Sequence, residues 1–296
     1  VSYRGRFAPS PTGPLHFGSL VAAVASWLDA RAAGGEWRLR IEDVDTTRTV
    51  PGAAEAILRA LEAFGLAWDG EIAWQSRRTD LYAAALDRLR AHGLVYRCRC
   101  SRREIADSGM TGLEGVVYPG TCRPLGLGPE VPGADRMRTD DAPVEFVDRV
   151  QGRTTQRVAA EIGDFVLRRR DGLFAYQLAV VVDDAEQGIT DVVRGADLLL
   201  STPRQVVLQR ALGHPTPRYL HVPVATNAAG EKLSKQTLAP EVSRANAVRQ
   251  LAEALEFLGQ PSVEAASCRE MLDEAARRWN VSRIPRTTAL TPDSPG

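Results

Sequence analysis

Three stretches of this chain carry residue types at spacings that could do chemistry. The first is Arg6-Phe7-Ala8-Pro9-Ser10-Pro11-Thr12-Gly13-Pro14-Leu15-His16-Phe17-Gly18-Ser19, an apolar lead-in and a glycine-containing turn that open an Ala/Leu-rich helical run. Amides left unpaired at a helix start form an anion site. Gly13 and Gly18 allow close backbone approach to a ligand, and His16 can donate to a phosphate oxygen without being charged. The same residues also suit a proline-shaped loop in which His16 satisfies a local hydrogen bond. The second stretch is Cys98-Arg99-Cys100, with Cys122 returning after a loop that contains Tyr118. Three thiolates and an oxygen suit a tetrahedral zinc shell that would fix a segment poor in apolar groups; the alternative is two thiols on a strand and an unrelated Cys122. The third, Gly230-Glu231-Lys232-Leu233-Ser234-Lys235-Gln236, sets two lysines on a glycine-containing loop. They can offset negative charge growing on a phosphate, or belong to a solvated turn.

The elements that must position these groups alternate. The first helix carries Leu20, Val24, Trp27 and Leu28 on an apolar face and stops at Gly34-Gly35. Trp37, Leu39 and Ile41 alternate with Arg38 and Arg40 as in a strand, which runs into Glu42-Asp43-Val44-Asp45 and so sets carboxylates at the edge of an open sheet where ligands collect. Pro51 opens a helix with Ala54, Ile57, Leu58 and Leu61 in a stripe, and another helix after Ser76 bears Leu81, Ala85 and Leu89 before Gly93. This rhythm fits half of a doubly wound α/β domain. It breaks from about Cys98 to Tyr176, where a capping box at Ser101 to Glu104 precedes a Gly/Pro-rich passage. There Val144, Phe146, Asp148 and Val150 alternate, and Asp171-Gly172 reads as a hairpin turn.

The second half opens with Gln177 to Asp184, a nearly continuous apolar run ending in two aspartates. Ile189 to Arg194, a helix from Thr202-Pro203 to Gly213 and a strand at Tyr219 to Ala225 follow. Helical patterns hold Leu251, Leu255 and Leu258, then Met271, Leu272 and Ala275, with Cys268 an ordinary core residue. The polar end from Pro285 to Gly296 reads as poorly ordered. The boundaries are 1–97 and 176–240 for two halves of a catalytic domain, 98–175 for a mixed insertion and 241–296 for a helical subdomain and tail.

Bulk properties narrow the class. At 296 residues, 44% hydrophobic and 25% charged, the chain can bury a substantial core and is not dominated by disorder. With 37 basic and 37 acidic residues the net charge is zero, so global steering toward nucleic acid is unsupported and only a local basic face remains. No signal-like segment or uninterrupted membrane span is evident; cytoplasmic residence and no membrane association are expected. The four cysteines suit thiol or metal chemistry in a reducing compartment better than a disulfide framework.

Pro-Thr-Gly-Pro-Leu-His-Phe-Gly-Ser resembles the ATP-binding signature of class I aminoacyl-tRNA synthetases, usually His-Ile-Gly-His, with Ser19 in place of the last histidine. Gly-Arg-Phe-Ala-Pro-Ser-Pro-Thr-Gly is similar to the glutamyl/glutaminyl branch. Lys232-Leu233-Ser234-Lys235-Gln236 resembles the second signature, usually Lys-Met-Ser-Lys-Ser, with Gln236 removing a hydroxyl. Cys-x-Cys followed by Tyr-Pro-Gly-Thr-Cys resembles the zinc-bearing insertion of glutamyl-Q tRNA(Asp) synthetases, shortened relatives of glutamyl-tRNA synthetase.

The resemblance implies a Rossmann-like catalytic domain with a zinc-bearing insertion and a C-terminal helical subdomain. It implies tRNA-independent, ATP-dependent activation of L-glutamate as an adenylate, then transfer to the queuosine cyclopentenediol in the anticodon of tRNA(Asp). His16, Lys232 and Lys235 would be catalytic, with His16, Gly18, Ser19 and Lys235 holding ATP and its Mg2+. Arg6, Phe7, Ala8, Pro9, Ser10, Glu42, Tyr176 and Arg194 would hold glutamate: guanidinium groups for carboxylates, Glu42 for the ammonium and Tyr176 for a phenolic hydrogen bond. One structural Zn2+ would take Cys98, Cys100, Tyr118 and Cys122, and a monomer is expected. The competing functions are a glutamyl-tRNA synthetase fragment charging the terminal adenosine of tRNA(Glu) and a noncatalytic zinc-containing RNA-binding protein.

Overall fold

The computed structural model describes residues 2–108, 111–227, 229–233 and 242–292. An apolar lead-in forms β1 (Arg4–Phe7), and the turn after it opens α1 (Phe17–Ala32). From Leu20 to Ala30 only Ala22 escapes full burial, as expected of a helix apolar on every side. It ends where glycine permits: Gly34 takes φ 63°, and the Gly34 and Gly35 amides donate to Arg31 O (3.0 Å) and Ala30 O (2.9 Å), closing a Schellman cap.

Next come β2 (Glu36–Ile41), α2 (Ala53–Ala63), β3 (Ala73–Trp74), α3 (Thr79–Ala91) and β4 (Val95–Cys98). One expectation needs correction: Pro51 stands outside α2 because Gly52, in a left-handed conformation, is the N-cap. The strand read from the alternation of Trp37, Leu39 and Ile41 is formed, with Arg40 fully buried in it.

The middle of the chain holds α4 (Arg102–Ala106), whose Ser101/Glu104 capping box is formed, β5 (Thr111–Gly112), β6 (Gly115–Val116) and β7 (Ala134–Met137). It continues through β8 (Val144–Asp148), β9 (Gly152–Gln156), α5 (Val158–Glu161) and β10 (Val166–Arg168). β7 pairs antiparallel with both β4 and β10. β8 instead lies parallel to β12 (Arg218–Val222), with Tyr219 opposite Asp148, so the segment read as an insertion lends a strand to the main sheet. Asp171-Gly172 turns the chain as expected, with Gly172 at φ 90° and Arg168 bridging antiparallel to Phe174.

Gln177 to Asp184 forms α6 (Tyr176–Glu186), buried throughout that run, because a short apolar run alone does not distinguish a strand from a core helix. Then follow β11 (Asp191–Gly195), α7 (Thr202–Leu212, ended by Gly213 at φ 69°), β12, β13 (Val224–Ala225), α8 (Ala247–Phe257) and α9 (Cys268–Arg278). Cys268 is buried in the same apolar core as α1, α8 and α9. The tail is ordered further than expected: β14 (Ala289–Leu290) pairs parallel with β13, and only residues 293–296 lie outside the description.

Parallel β3, β2 and β1 meet the β11-β12-β8-β9 sheet where the Thr190 amide donates to Arg4 O at 2.9 Å and β1 lies beside β11. α1 leaves from the end of β1, so the strand order reverses between β1 and β11. Such a switch point opens a crevice outside the strands' carboxyl ends.

Candidate active site

The crevice is a cleft of about 910 Å³. Its walls bring together Arg6, Phe7, Ala8, Pro9 and Ser10 from the end of β1, His16, Gly18 and Ser19 from the start of α1, and Glu42, Tyr176, Arg194 and Lys232 from four other segments. Lys235, with Ser234 and Gln236, lies outside the described residues.

On the anion side, α1 has no acidic side chain in its first turn, so its amide end keeps its positive character. His16 is the N-cap: its ring accepts from the Ser19 amide at 3.4 Å, and its Nε2 lies 3.0 Å from Ser19 Oγ. The lysine-bearing segment lies against the helix start: a Cβ placed on Gly18 would stand in ordinary contact with the His16 ring at 3.4 Å and Leu233 O at 3.6 Å. Lys232 Nζ lies 2.5 Å from Asp197 Oδ2 across the cleft.

On the other side, Arg6 donates to Asp184 Oδ1 (3.1 Å) and Oδ2 (3.4 Å). Arg40 Nη2 donates to Glu42 at 3.1 Å, while its Nη1 donates to Asp184 (2.8 Å) and Gln187 (2.7 Å). Asp183 accepts from Gln75, Arg78 and Tyr82 at 2.9, 2.6 and 2.8 Å. Burial would raise the Asp184 carboxyl's pKa, but Arg6 and Arg40 overcome that and hold it below its ordinary range. Burial wins at Glu42, whose carboxyl is raised despite Arg40 and Arg6, and the Tyr176 phenol is raised mainly by burial as well. Sequence reasoning missed the under-layer of Arg40, Asp183, Asp184, Gln75 and Arg78. Its only signal was the two aspartates closing an apolar run.

Arg194 is held from three directions. Its Nε donates to His221 Nε2 at 3.0 Å, and its Nη2 to Thr202 Oγ1 at 2.8 Å and Leu198 O at 3.4 Å.

The expected metal ligands converge at the end of β4. The Sγ atoms of Cys98, Cys100 and Cys122 lie within 4.8 Å of one another. Tyr118 Oη is 3.3 Å from Cys98 Sγ and 3.8 Å from Cys100 Sγ, and Cys100 and Cys122 Sγ are 3.4 Å apart. Thiolates ~2.3 Å from one tetrahedral zinc lie about 3.8 Å apart, so the set is already close to the required spacing. Cys98, Cys122 and Tyr118 are buried, and the Cys122 amide donates to Tyr118 Oη at 2.8 Å, which fixes the oxygen beside the sulfurs. The cluster can coordinate a metal.

Residues 2–260 match the family of class I tRNA synthetases (E and Q), catalytic domain. The chain is 58% identical over 284 residues to the glutamyl-Q tRNA(Asp) synthetase of Chromobacterium violaceum, spanning 96% of this chain and 95% of that protein. It is 57% identical over 296 residues to the protein of the same name from Dechloromonas aromatica, spanning 97% of each. Among solved structures, a glutamate tRNA ligase from Elizabethkingia meningosepticum, in complex with its amino acid, superposes with a TM-score of 0.82 at 26% identity. That match covers 98% of this chain and 67% of the other.

Proposed function

The chain belongs to the glutamyl-Q tRNA(Asp) synthetases, within the class I tRNA synthetases for glutamate and glutamine, and we propose from that premise how its cleft works. It activates L-glutamate with ATP and passes the glutamyl group to queuosine in the anticodon of tRNA(Asp). The likeness over nearly the full length of proteins so named carries this reading.

The α-carboxylate of glutamate attacks the α-phosphorus of ATP. A carboxylate oxygen to phosphorus bond forms, the bond to the bridging oxygen breaks, and pyrophosphate leaves with the electron pair. The attacking group is already ionised, so no side chain need take its proton. What the reaction needs is positioning and charge compensation where two anions meet. The start of α1 with His16, Gly18 and Ser19 faces the phosphates; Lys232, and Lys235 three residues on in the sequence, offset the developing charge, and Mg2+ enters with ATP. Arg6 and Arg194 take the carboxylates of glutamate, Glu42 its ammonium and Tyr176 a hydrogen bond, with the backbone from Phe7 to Ser10 as the floor. In the second step a hydroxyl of the cyclopentenediol attacks the adenylate carbonyl, an ester forms and AMP leaves.

Cys98, Cys100, Cys122 and Tyr118 would hold one zinc, which supplies a crosslink between β4 and the loop before β7 and takes no part in the reaction. The protein acts as a monomer in the cytoplasm.

The test is glutamate-dependent pyrophosphate exchange with Mg2+ and no RNA, followed by transfer to queuosine-containing tRNA(Asp), queuosine-free tRNA(Asp) and tRNA(Glu). Exchange without RNA and esterification of only the first RNA are expected. No exchange under any condition, or charging of tRNA(Glu) instead, would refute the reading.

A further inference from the structure

Three neighbouring strands place a buried acid, an imidazole and a guanidinium in one line. Asp148 ends β8, His221 lies on β12, and Arg194 lies directly opposite His221 on β11. Asp148 and His221 have no exposed side-chain surface, and Arg194 is 5% exposed. His221 Nδ1 is 2.6 Å from Asp148 Oδ2, and His221 Nε2 faces Arg194 Nε at 3.0 Å. Nothing in the activation chemistry above uses Asp148 or His221.

We infer that Asp148 and His221 are positioning residues that lock one imidazole tautomer, and through it the guanidinium plane of Arg194, so that this arginine, which lines the cleft, is held to meet a substrate carboxylate. This rests on the proposed role of Arg194 in holding glutamate.

The proton assignment follows from donors and acceptors alone. An arginine Nε can only donate, so His221 Nε2 must carry the lone pair and the ring proton must sit on Nδ1, pointing at the carboxylate. Protonation would set two donors and two positive charges face to face, and burial, with Arg194 opposing a second charge, pushes the His221 pKa down to about 4. The guanidinium is a rigid planar fork, so fixing Nε on His221 and Nη2 on Thr202 and Leu198 fixes Nη1. Nη1 is buried and has no hydrogen-bond partner among the described residues, although Arg194 lines the cleft. Arg194 also makes no ion pair among the described residues, and a carboxylate from the ligand would supply its counter-charge.

The carboxylate of Asp148 is itself oriented. Oδ1 accepts from the Val150, Gln151 and His221 amides at 2.9, 2.8 and 3.2 Å, leaving Oδ2 for the imidazole. In Asp148→Asn those amides demand the amide oxygen at the Oδ1 position, so the NH2 group must face His221 Nδ1. The imidazole then has to accept there and carry its proton on Nε2, donor against the donor of Arg194.

The experiment compares Asp148→Asn, His221→Gln and His221→Leu with the wild-type full chain. KM for glutamate and for ATP are read by pyrophosphate exchange, and the His221 tautomer by nitrogen-15 NMR, which is tractable with four histidines. Asp148→Asn is expected to move the ring proton from Nδ1 to Nε2 and raise the glutamate KM about tenfold or more, a buried unmet hydrogen bond's worth, with the ATP KM within about twofold. His221→Leu should do the same to KM. His221→Gln, whose carbonyl oxygen can reach the Nε2 position, should restore glutamate KM to near wild type. Unchanged glutamate KM in both Asp148→Asn and His221→Leu, an equal rise for ATP, or a wild-type proton on Nε2 would overturn the inference while leaving the proposed activity standing. Absence of exchange in the wild type would overturn that activity and this inference with it.

Discussion

Asp184→Asn tests whether the ionic layer beneath the cleft, rather than the cleft wall alone, supports the site. Asp184 is the shared counter-charge of Arg6 and Arg40. Arg40 keeps Glu42 and Asp183 when Asp184 is neutralised, whereas Arg6 has no other ion-pair partner among the described residues. The loss therefore falls on Arg6, a guanidinium 3% exposed left without an anion. Removing one member of a buried pair costs ~3–5 kcal/mol. The amide retains an acceptor oxygen, so the lower end, about 3 kcal/mol, is expected, and at ~2–4 °C per kcal/mol this lowers Tm by roughly 6–12 °C. Glu36→Gln is the control. Glu36 also takes two guanidiniums, Arg4 and Arg38 at 2.8 Å each, but its side chain is 44% exposed, and that loss should stay below about 1 kcal/mol. Urea denaturation at pH 7 reads both, and the glutamate KM of Asp184→Asn should rise while the ATP KM holds. A loss for Asp184→Asn no larger than for Glu36→Gln, at unchanged m-value, would refute the reasoning.

Arg194→Ala should weaken glutamate by about 2 kcal/mol or more, the cost of truncating a buried charged partner, and leave ATP affinity intact in separate ligand titrations. Gly133→Ala should reduce zinc retention, because a Cβ there would lie 2.4 Å from Cys98 O and displace the strand that carries Cys98; zinc per chain after gel filtration measures it, and wild type should hold one. Stability should fall as pH drops from about 6.5 toward 4 and then level in the His221 component. The imidazole's folded pKa is depressed to about 4 from 6.5, so in that window the unfolded chain binds the extra proton. Urea midpoints against pH check this, and His221→Gln should flatten that part of the curve.

The sequence made the cleft legible and its support illegible. The approach of Arg6, His16, Glu42, Tyr176 and Arg194 could be anticipated because each sits at a strand end or helix start, and order along an α/β chain brings such ends to one edge. The three cysteines were legible because soft ligands gathered in a segment poor in apolar groups have few other uses. Alternation gave the strand but not the burial of Arg40: on the same face of β2 Glu36 and Arg38 stay partly exposed while Arg40 is fully buried, tolerated there because Asp183, Asp184 and Glu42 surround it. Two of those carboxylates come from a helix more than 140 positions away in the chain, and no local pattern carries that pairing. His221 and Asp148 were hidden for a similar reason: each looked like a strand residue, and only the parallel register of β8, β12 and β11 sets them beside Arg194.

The charges of the buried layer argue for the choice of substrate. Arg6, Arg40 and Arg78 are matched by Glu42, Asp183 and Asp184, and Lys232 by Asp197. Arg194 makes no ion pair among the described residues; its hydrogen bonds go to a neutral imidazole, a hydroxyl and a carbonyl, and its guanidinium lies over the Tyr219 ring. Along this wall of the cleft one positive charge is left uncompensated. Glutamate carries one net negative charge, so in the proposed placement its arrival would neutralise the site and give Arg194 an anionic partner. Glutamine is nearly the same size and shape but neutral, so it would leave the charge unmet and could turn an amide NH2 toward a guanidinium NH2. Glu42 fits the same logic from the opposite side: burial raises its carboxyl, and the ammonium proposed to sit against it would favour its ionised form. With glutamate placed as proposed, selection for the acid over the amide would follow from the positive charge that Arg194 leaves unmatched among the described residues.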